Sequence, residues 1–507
     1  MNYLSEDTIA ALSTAAGKSA VAVIRLSGGH SSDILNKIFK PLSQNDKQIK
    51  YGFIADGGNK IDEVLCTFFK APGTYTGEDL IEISCHGNPV IINEILNLLY
   101  KNGARPAQPG EFTYRAFLNG KKDLAQAEAV CALISGKTAA AAKAALNNVS
   151  GEFSNKIKNI KDPLIDLLSF VEVSLDHPEE DVMFLSREEK ALRLGSLIEQ
   201  NQKLLDSYKI SESLQKGLKA AIIGKPNAGK SSLLNAILGK NRAIVTEIAG
   251  TTTDTIEEII DCRGIPLTII DTAGIRTHSE NSIELLGQER SKEAAQKADL
   301  IIWVTDGSQP LDKNDKEIAD FITKSNLNIP IIEAVNKTDL VERQSEDKDD
   351  KPSPLGGGSP RNNKDESDAG ARRERPGSEE KRGEGLAKQD GEGSAVISAF
   401  HSPLSALPLK LSAKTGDGIP ELLDAIAKIA GITDSYDHLM ITSRHFALLN
   451  TAQSALSKAK DQYALQDADE IAAFELRAAL AAYEDILGIT TQHDILDTIF
   501  STFCIGK

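Results

Sequence analysis

The residues best suited to chemistry fall in four short motifs. Gly224-Lys-Pro-Asn-Ala-Gly-Lys-Ser231 fits the phosphate-binding pattern GxxxxGK[ST]. Its glycines let backbone N–H groups turn inward around phosphate oxygens, and a helix N-terminus behind them adds positive potential. Lys230 would reach the outer phosphates, and the Ser231 hydroxyl would sit on Mg²⁺. Asp271, Thr272, Ala273 and Gly274 form the second motif, an acid for the metal and a glycine N–H that senses a γ-phosphate. Between the two lie Thr251 and Thr252, where a switch segment places a threonine on Mg²⁺. In the third motif, Asn336-Lys337-Thr338-Asp339, a carboxylate such as Asp339 accepts from both guanine N1–H and the 2-amino group, which adenine cannot match. Ser412, Ala413 and Lys414 form the fourth and would offer a backbone N–H to guanine O6. One such motif is weak evidence, but four in this order specify a guanine-nucleotide site.

The second motif also limits the mechanism. Ile275 follows Gly274, where Ras-like switches carry a water-orienting glutamine. Some other group must position the attacking water and offset the charge that an arginine finger would meet. Glu284 and Glu289 are the nearest carboxylates with reach, although spacing alone reads each as a helix-surface acid.

These motifs need strands that end in loops and helices that begin after them. Leu218–Ile223 reads as a buried strand before the first motif, and Ser232–Leu238 as the start of the helix behind it. Thr255–Cys262 and Pro266–Asp271 read as a hairpin joined by Arg-Gly-Ile. Leu300–Thr305 and Ile329–Val335 are continuous apolar runs of the kind found in parallel strands, with helical patterns at Leu285–Lys297 and Lys313–Thr323. Alternating strand and helix predicts a doubly wound α/β P-loop domain over residues 216–433. Inside it, 341–394 is dense in charge, Gly, Ser and Pro, cannot bury enough apolar surface to offset the entropy of ordering, and reads as a disordered insertion.

Residues 1–118 read as a mixed α/β domain with strands at Ala20–Leu26, Val64–Phe69 and Leu80–Ser84 and a helix at Ile91–Tyr100. Arg25, Glu82 and Lys121 lie near element ends and by spacing alone are surface charges. Residues 119–215 turn helical, with apolar stripes such as Ile157, Ile160, Leu164, Leu167, Leu168 and Val171 and a Pro163 that ends or bends its helix. Residues 434–507 are helical again, at Phe446–Asp461 and Glu470–Leu487. Helices on both sides of an α/β unit suggest one bundle interrupted by an inserted domain. No packing argument explains the tail Cys504-Ile-Gly-Lys507.

Composition bounds the classes of function. The 507 residues allow two to four domains, and the formal charge of −16 argues against a general nucleic-acid coat while leaving room for a local basic patch. No apolar run is long enough to cross a bilayer, and Met-Asn-Tyr-Leu-Ser lacks a basic region followed by an apolar one, so neither a membrane span nor a secretory signal is expected. Five scattered cysteines without a CxxC pair suit the reducing cytoplasm and argue against disulfides or structural zinc.

With Gly250-Thr-Thr-Thr-Asp254 and the Cys504–Lys507 tail added to the four motifs, the sequence resembles the MnmE (TrmE) family of tRNA modification GTPases. Val23–Ser27, Tyr75–Asp79, Cys85–Gly87, Gly110–Phe112, Arg115–Asn119 and Asp123–Glu128 carry the same resemblance. It implies a folate-binding, dimerising N-terminal domain, a helical domain built from two stretches, and an inserted G domain. It also implies a homodimer that works with the flavoprotein MnmG. Together they add an aminomethyl or carboxymethylaminomethyl group to the wobble uridine of certain tRNAs, in the cytoplasm. By that resemblance Arg25, Glu82, Lys121 and Lys507 would contact a 5-formyltetrahydrofolate-type donor. Asn227 and Thr251, with backbone oxygens of Thr246 and Ile248, would hold K⁺ against the GTP, while Ser231, Thr252 and Asp271 serve Mg²⁺. Gly224, Ala228, Gly229 and Ser232 complete the nucleotide-binding set. Glu284 would orient the attacking water, Lys230 would stabilise transferred charge, and Cys504 is a candidate for redox or substrate chemistry. Two other readings stand beside this one. One is a ribosome-assembly GTPase without modification chemistry, which would need a basic GxxG domain. The other is a folate-dependent one-carbon enzyme regulated by its G domain.

Overall fold

The structure, a computed structural model, describes residues 7–42, 48–176, 185–241, 258–270, 294–324, 329–341, 408–431, 438–465 and 469–506. The insertion expected at 341–394 therefore lies outside the described residues, apart from Val341 itself.

The N-terminal unit is a seven-stranded sheet with two helices on one face and a third packed over part of the other. Its elements are β1 (Ile9–Leu12), β2 (Ser19–Ser27), α1 (Ser31–Ile38), β3 (Phe39–Pro41), β4 (Ile49–Asp56), β5 (Asn59–Phe69), β6 (Leu80–Gly87), α2 (Pro89–Lys101), β7 (Arg105–Pro106) and α3 (Glu111–Leu118). The order is β3-β4-β5-β6-β2-β1-β7, antiparallel except where β7 runs parallel to β1. Alternation sorts the faces. Val64, Cys66, Ile81 and Ile83 meet Ile92, Ile95 and Leu99 of α2 in the core, while Ile49, Tyr51 and Leu65 point from the other face and stay exposed. Strands β1, β3, β4 and β7 were not expected from the sequence: β1, β3 and β7 are too short for a period-two pattern to show, and in β4 Gly52 and the register shift at Ile54/Ala55 blur the alternation.

The helical unit begins with α4 (Leu124–Ser135), α5 (Ala139–Val149), α6 (Glu152–Asp176), α7 (Arg187–Asp206) and α8 (Tyr208–Lys216). Capping boxes start α4 at Asp123/Gln126 and α7 at Ser186/Glu189. Pro163 does not end α6, which runs unbroken for 25 residues. A helix-interior proline costs roughly 3 kcal/mol, whereas Ile157 and Ile160 before it and Leu164, Leu167 and Val171 after it are all buried in one core. Each such side chain contributes about 1.5–3 kcal/mol on burial, so the stripe outweighs the proline.

The inserted unit holds β8 (Leu218–Ile223), α9 (Lys230–Asn241), β9 (Glu258–Cys262), β10 (Ile265–Ile270), β11 (Leu300–Asp306), α10 (Lys313–Lys324), β12 (Ile331–Asn336), β13 (Leu409–Lys410) and α11 (Ile419–Ile429). Its sheet runs β13-β12-β11-β8-β10-β9, parallel throughout except for the β9–β10 hairpin. That hairpin closes on Arg263 and Gly264, both at positive φ (52° and 95°), the geometry of a two-residue turn. The chain then returns to the bundle as α12 (Ser443–Leu465), α13 (Asp469–Leu487) and α14 (His493–Ser501). Phe153, Leu164 and Leu194 from the first helical stretch share one core with Leu449, Leu476 and Tyr483 from the second.

Among the described residues no helix is long and apolar enough to cross a membrane.

Candidate functional site

A parallel sheet binds ligands outside the carboxyl ends of its strands, where the strand order reverses. Here β8 is central, the next parallel strand in the chain, β10, lies on one side and β11 on the other, so the loop leaving β8 sits at that reversal. This loop is Gly224–Gly229. Gly224 lies against the Val304 carbonyl and Gly229 against the Asn336 side-chain amide, and a Cβ at either would collide with its neighbour. Asn227 takes φ of 63° and Gly229 φ of 96°, so the loop turns through the left-handed region that Asn tolerates better than most residues.

Lys230 opens α9 and folds back over the loop, its ammonium donating to the Gly224 and Lys225 carbonyls at 2.7 and 2.8 Å. Burial pushes its pKa down to about 8. A half-buried cation held by carbonyls fits an arriving polyanion, whose charge would restore the ordinary pKa. Ser231 follows it in the first turn of α9.

The third and fourth motifs follow β12 and β13. Asn336 ends β12 and is buried. Its Nδ2 donates to the Ala228 carbonyl at 3.0 Å, and its Oδ1 accepts from the Ala413 N–H at 2.9 Å. One amide thereby ties the phosphate loop to the Ser412–Lys414 loop. Asp339 accepts from the Ser412 hydroxyl at 2.8 Å, which aims the carboxylate beside the same loop. Lys337 sits at φ 67° and donates to Asp306 at 2.7 Å. Burial alone would raise the Asp306 pKa, but the bonds from Lys337 and Ser308 hold it below the usual value.

The structure thus brings together Gly224, Asn227, Ala228, Gly229, Lys230, Ser231, Ser232, Asn336, Lys337, Asp339, Ser412, Ala413 and Lys414 on one sheet edge. Thr246, Ile248, Thr251, Thr252, Asp271, Thr272, Ala273, Gly274 and Glu284 lie outside the described residues. Among the described residues no group of three or more His, Cys, Asp or Glu could hold a metal ion by itself.

The second cluster lies on the open face of the N-terminal sheet. Arg25 and Glu82 are register partners on β2 and β6, and Arg25 Nε donates to Glu82 Oε1 at 2.8 Å. The Arg25 guanidinium also lies 5.6 Å from the Tyr75 ring, and the Lys122 ammonium approaches that ring at 5.9 Å. The pair is partly exposed, at 18% and 27%. A paired guanidinium and carboxylate beside an aromatic face fits a flat polar heterocycle. Lys121 is exposed in the turn before α4, and it is Lys122 that reaches the ring. Lys507 lies outside the described residues, but the tail leading to it is docked. The Gly506 carbonyl accepts from Ser13 Oγ at 3.1 Å, and Gly506 lies against the Leu12 carbonyl, one strand from Ile24 and Arg25. Cys504 is exposed, and its carbonyl accepts from the Gly110 N–H at 3.4 Å.

Sequence reasoning missed the acids and bases that hold these sites. Arg115 is buried between Glu78, Glu111 and Asp7, and Arg105 bridges Glu111 and Asp7. Ser27 donates to Glu78 at 2.9 Å, which ties this network to the end of β2. The signal was present as charged residues inside Tyr75–Asp79 and Gly110–Asn119, but the pairing spans up to 108 positions. Glu128 on α4 joins Arg444 and His445 at the start of α12 and so links the two helical stretches.

A family model described as the MnmE helical domain matches residues 124–504, and one described as the GTP-binding protein TrmE N-terminus matches residues 8–121. A tRNA modification GTPase MnmE from Endomicrobium trichonymphae is 58% identical over 508 residues, covering 100% of both chains. The chain belongs to the MnmE family of tRNA modification GTPases. The MnmE of Aquifex aeolicus (strain VF5) is 38% identical, covering 99% of this chain and 100% of its own. Among solved structures, Era in complex with MgGDPNP and a 16S ribosomal RNA fragment aligns with 47% of this chain and 66% of its own, at 23% identity and a TM-score of 0.26. The G domain of the T. maritima FeoB iron transporter aligns with 42% of this chain and 98% of its own, at 20% identity and a TM-score of 0.25. With that membership the chain is a GTP hydrolase.

Proposed function

We propose that this GTPase acts on tRNA as a Mg²⁺-dependent, K⁺-stimulated homodimer. With an MnmG-type flavoprotein it installs an aminomethyl or carboxymethylaminomethyl group on the wobble uridine of certain tRNAs. The observation that carries the nucleotide half is Asn336, whose single amide joins the phosphate loop to the base-reading loop.

Lys230 would turn from its carbonyls to the β- and γ-phosphates, and Asp339 would exchange the Ser412 hydroxyl for the guanine edge. The exposed, left-handed Asn227 suits a monovalent cation, which would add positive charge where no arginine finger is visible; Thr246, Ile248 and Thr251 would complete its shell. Ser231, Thr252 and Asp271 would hold Mg²⁺, which neutralises phosphate charge when bound. Glu284 would orient the attacking water.

The N-terminal half rests on the Arg25–Glu82 pair beside Tyr75, which suits the pteridine-like end of a folate one-carbon donor. Lys121 and Lys507 would serve the acidic end, and the docked tail supports bringing Cys504 and Lys507 to that sheet. Support for dimerisation is the exposed apolar row Ile49, Tyr51 and Leu65 on the same open face as Arg25, a patch that a second copy would cover. The domain plan of residues 1–118, 119–215, 216–433 and 434–507 and a cytoplasmic location belong to the same reading.

The test is nucleoside analysis of tRNA from cells lacking this protein. The modified wobble uridine should disappear and return with the wild-type gene. Unchanged wobble uridine would overturn the tRNA reading while leaving GTP hydrolysis to be measured on the purified protein.

A further inference from the structure

Asp306, the last residue of β11, and Asp315, in the first turn of α10, flank one connection, and each of these acids holds a lysine from a different nucleotide loop. At one end, Lys225 of the phosphate loop sends its ammonium away from the phosphate cradle. It donates to Asp315 Oδ2 at 2.8 Å and Asp312 Oδ2 at 2.9 Å. Those two acids form the N-terminal cap of α10. Asp312 accepts from the Asn314 and Asp315 N–H groups at 2.8 and 3.1 Å, and the Asp312 N–H donates back to Asp315 at 3.1 Å. Lys225 and Asp315 are both buried, with side chains 9% and 1% exposed. At the other end, Asp306 accepts from Lys337 at 2.7 Å, and the Gly307 N–H donates to the Asn336 carbonyl at 2.8 Å.

Position 225 is an unspecified residue in the GxxxxGK[ST] pattern, and neither Asp312 nor Asp315 belongs to any of the four motifs. A buried ion pair is a poor source of stability, because desolvation cancels most of the attraction. What it does supply is a defined geometry. The Lys225 carbonyl is one of the two that hold the Lys230 ammonium, so wherever the Lys225 side chain is fixed, the seat of Lys230 is fixed with it.

We propose that residues 306–315 form a brace between the phosphate loop and the base-reading loop, with Asp306 and Asp315 as positioning residues that set guanine-nucleotide affinity without touching the nucleotide. The inference rests on reading Gly224–Ser231 and Asn336–Asp339 as two halves of one guanine-nucleotide site. It extends the site to residues on a segment that sequence motifs pass over.

The experiment measures binding of fluorescent-labelled GDP to the full chain, alongside thermal unfolding. Replacing both partners, in K225M/D315L, removes the ion pair without leaving a buried charge alone. GDP affinity should fall roughly tenfold, as expected for losing a coupled charge pair, while the unfolding temperature stays close to that of the wild type. K225R should keep affinity within about twofold, because a guanidinium retains the pair and also has a donor for Asp315 Oδ1, which is buried and has no hydrogen-bond partner among the described residues. Asp306→Asn loosens the opposite end. Combined with K225M/D315L it should cost no more than about threefold beyond the weaker parent, since two ends of one brace are not independent. The brace is overturned if K225M/D315L binds GDP as the wild type does. It is equally overturned if K225R is as weak as that double variant, or if the two ends combine by multiplying their separate fold-changes. Absence of GDP binding by the wild type would instead sink the reading of the site itself, and the brace with it.

Discussion

Replacing Asn336 by Ala removes the only side chain seen to join the phosphate loop directly to the Ser412–Lys414 loop among the described residues. Two bonds are lost, from Nδ2 to the buried Ala228 carbonyl and from the Ala413 N–H to Oδ1. The native amide has a single workable orientation here, because one partner only accepts and the other only donates. Each group left unpartnered in a buried site costs roughly 1–3 kcal/mol, so for the two groups about 2–6 kcal/mol is at stake. In the free protein the loops can relax and hydrate both groups, so most of the cost falls on binding, when they must return to one geometry. GDP and GTP affinities should then fall together by roughly thirtyfold or more, since neither bond concerns the γ-phosphate. Trp303 provides the assay. It is the single tryptophan, it pairs with Ile223 immediately before the phosphate loop, and it can pass excitation to a fluorescent-labelled nucleotide. Affinity within about threefold of wild type, together with unchanged thermal unfolding, would refute the claim that this amide sets the site.

Three further outcomes are expected. Asp339→Asn should move base preference from guanine toward xanthine nucleotides, because an amide offers a donor where the carboxylate only accepts; competition between GTP and XTP reads this, and unchanged preference would remove Asp339 from base recognition. Hydrolysis should drop sharply when K⁺ is replaced by Na⁺ at equal ionic strength, and equal rates would exclude Asn227 as part of a selective cation seat. Acid should loosen the helical unit through Glu128. Burial alone would raise its carboxyl pKa, but His445 and Arg444 more than offset this and hold it at about 2, against 4.5 ordinarily. A lowered folded-state value means stability that is present above pH 4.5 and lost as pH falls toward 2, worth about 3 kcal/mol in the upper limit. Unfolding titrations should therefore show a steeper loss between pH 4.5 and 2 in the wild type than in Glu128→Gln, and parallel curves would show that the pair contributes nothing.

Much of this protein could be read from the chain because the relevant signals are local. A phosphate loop needs glycines at fixed spacing after an apolar strand, and Asp339 needs only to follow the strand that ends at Asn336. The long helices likewise announce themselves, since a stripe such as Ile157 to Val171 repeats at the helical period within one segment. Of the two outcomes the same local rule offered at Pro163, an end or a bend, the end did not occur, because burial of the stripe on both sides kept α6 whole. It was silent on β1, β3, β4 and β7, which exist because neighbouring strands supply their hydrogen bonds.

What the sequence determined by itself was the order of motifs, the alternation that makes the α/β unit, and the identity of the groups proposed to meet phosphate and base. Tertiary structure alone decided which charges find each other. Arg25 met Glu82 across 57 positions, Arg115 met Asp7 across 108, and Lys225 met Asp315 across 90. It also decided that the tail before Lys507 docks beside β1 through Gly506. The physical reason is the same in each case. A charge in a one-dimensional chain reads as solvated until the fold buries it, and only the folded geometry sets which opposite charge lies within hydrogen-bonding reach.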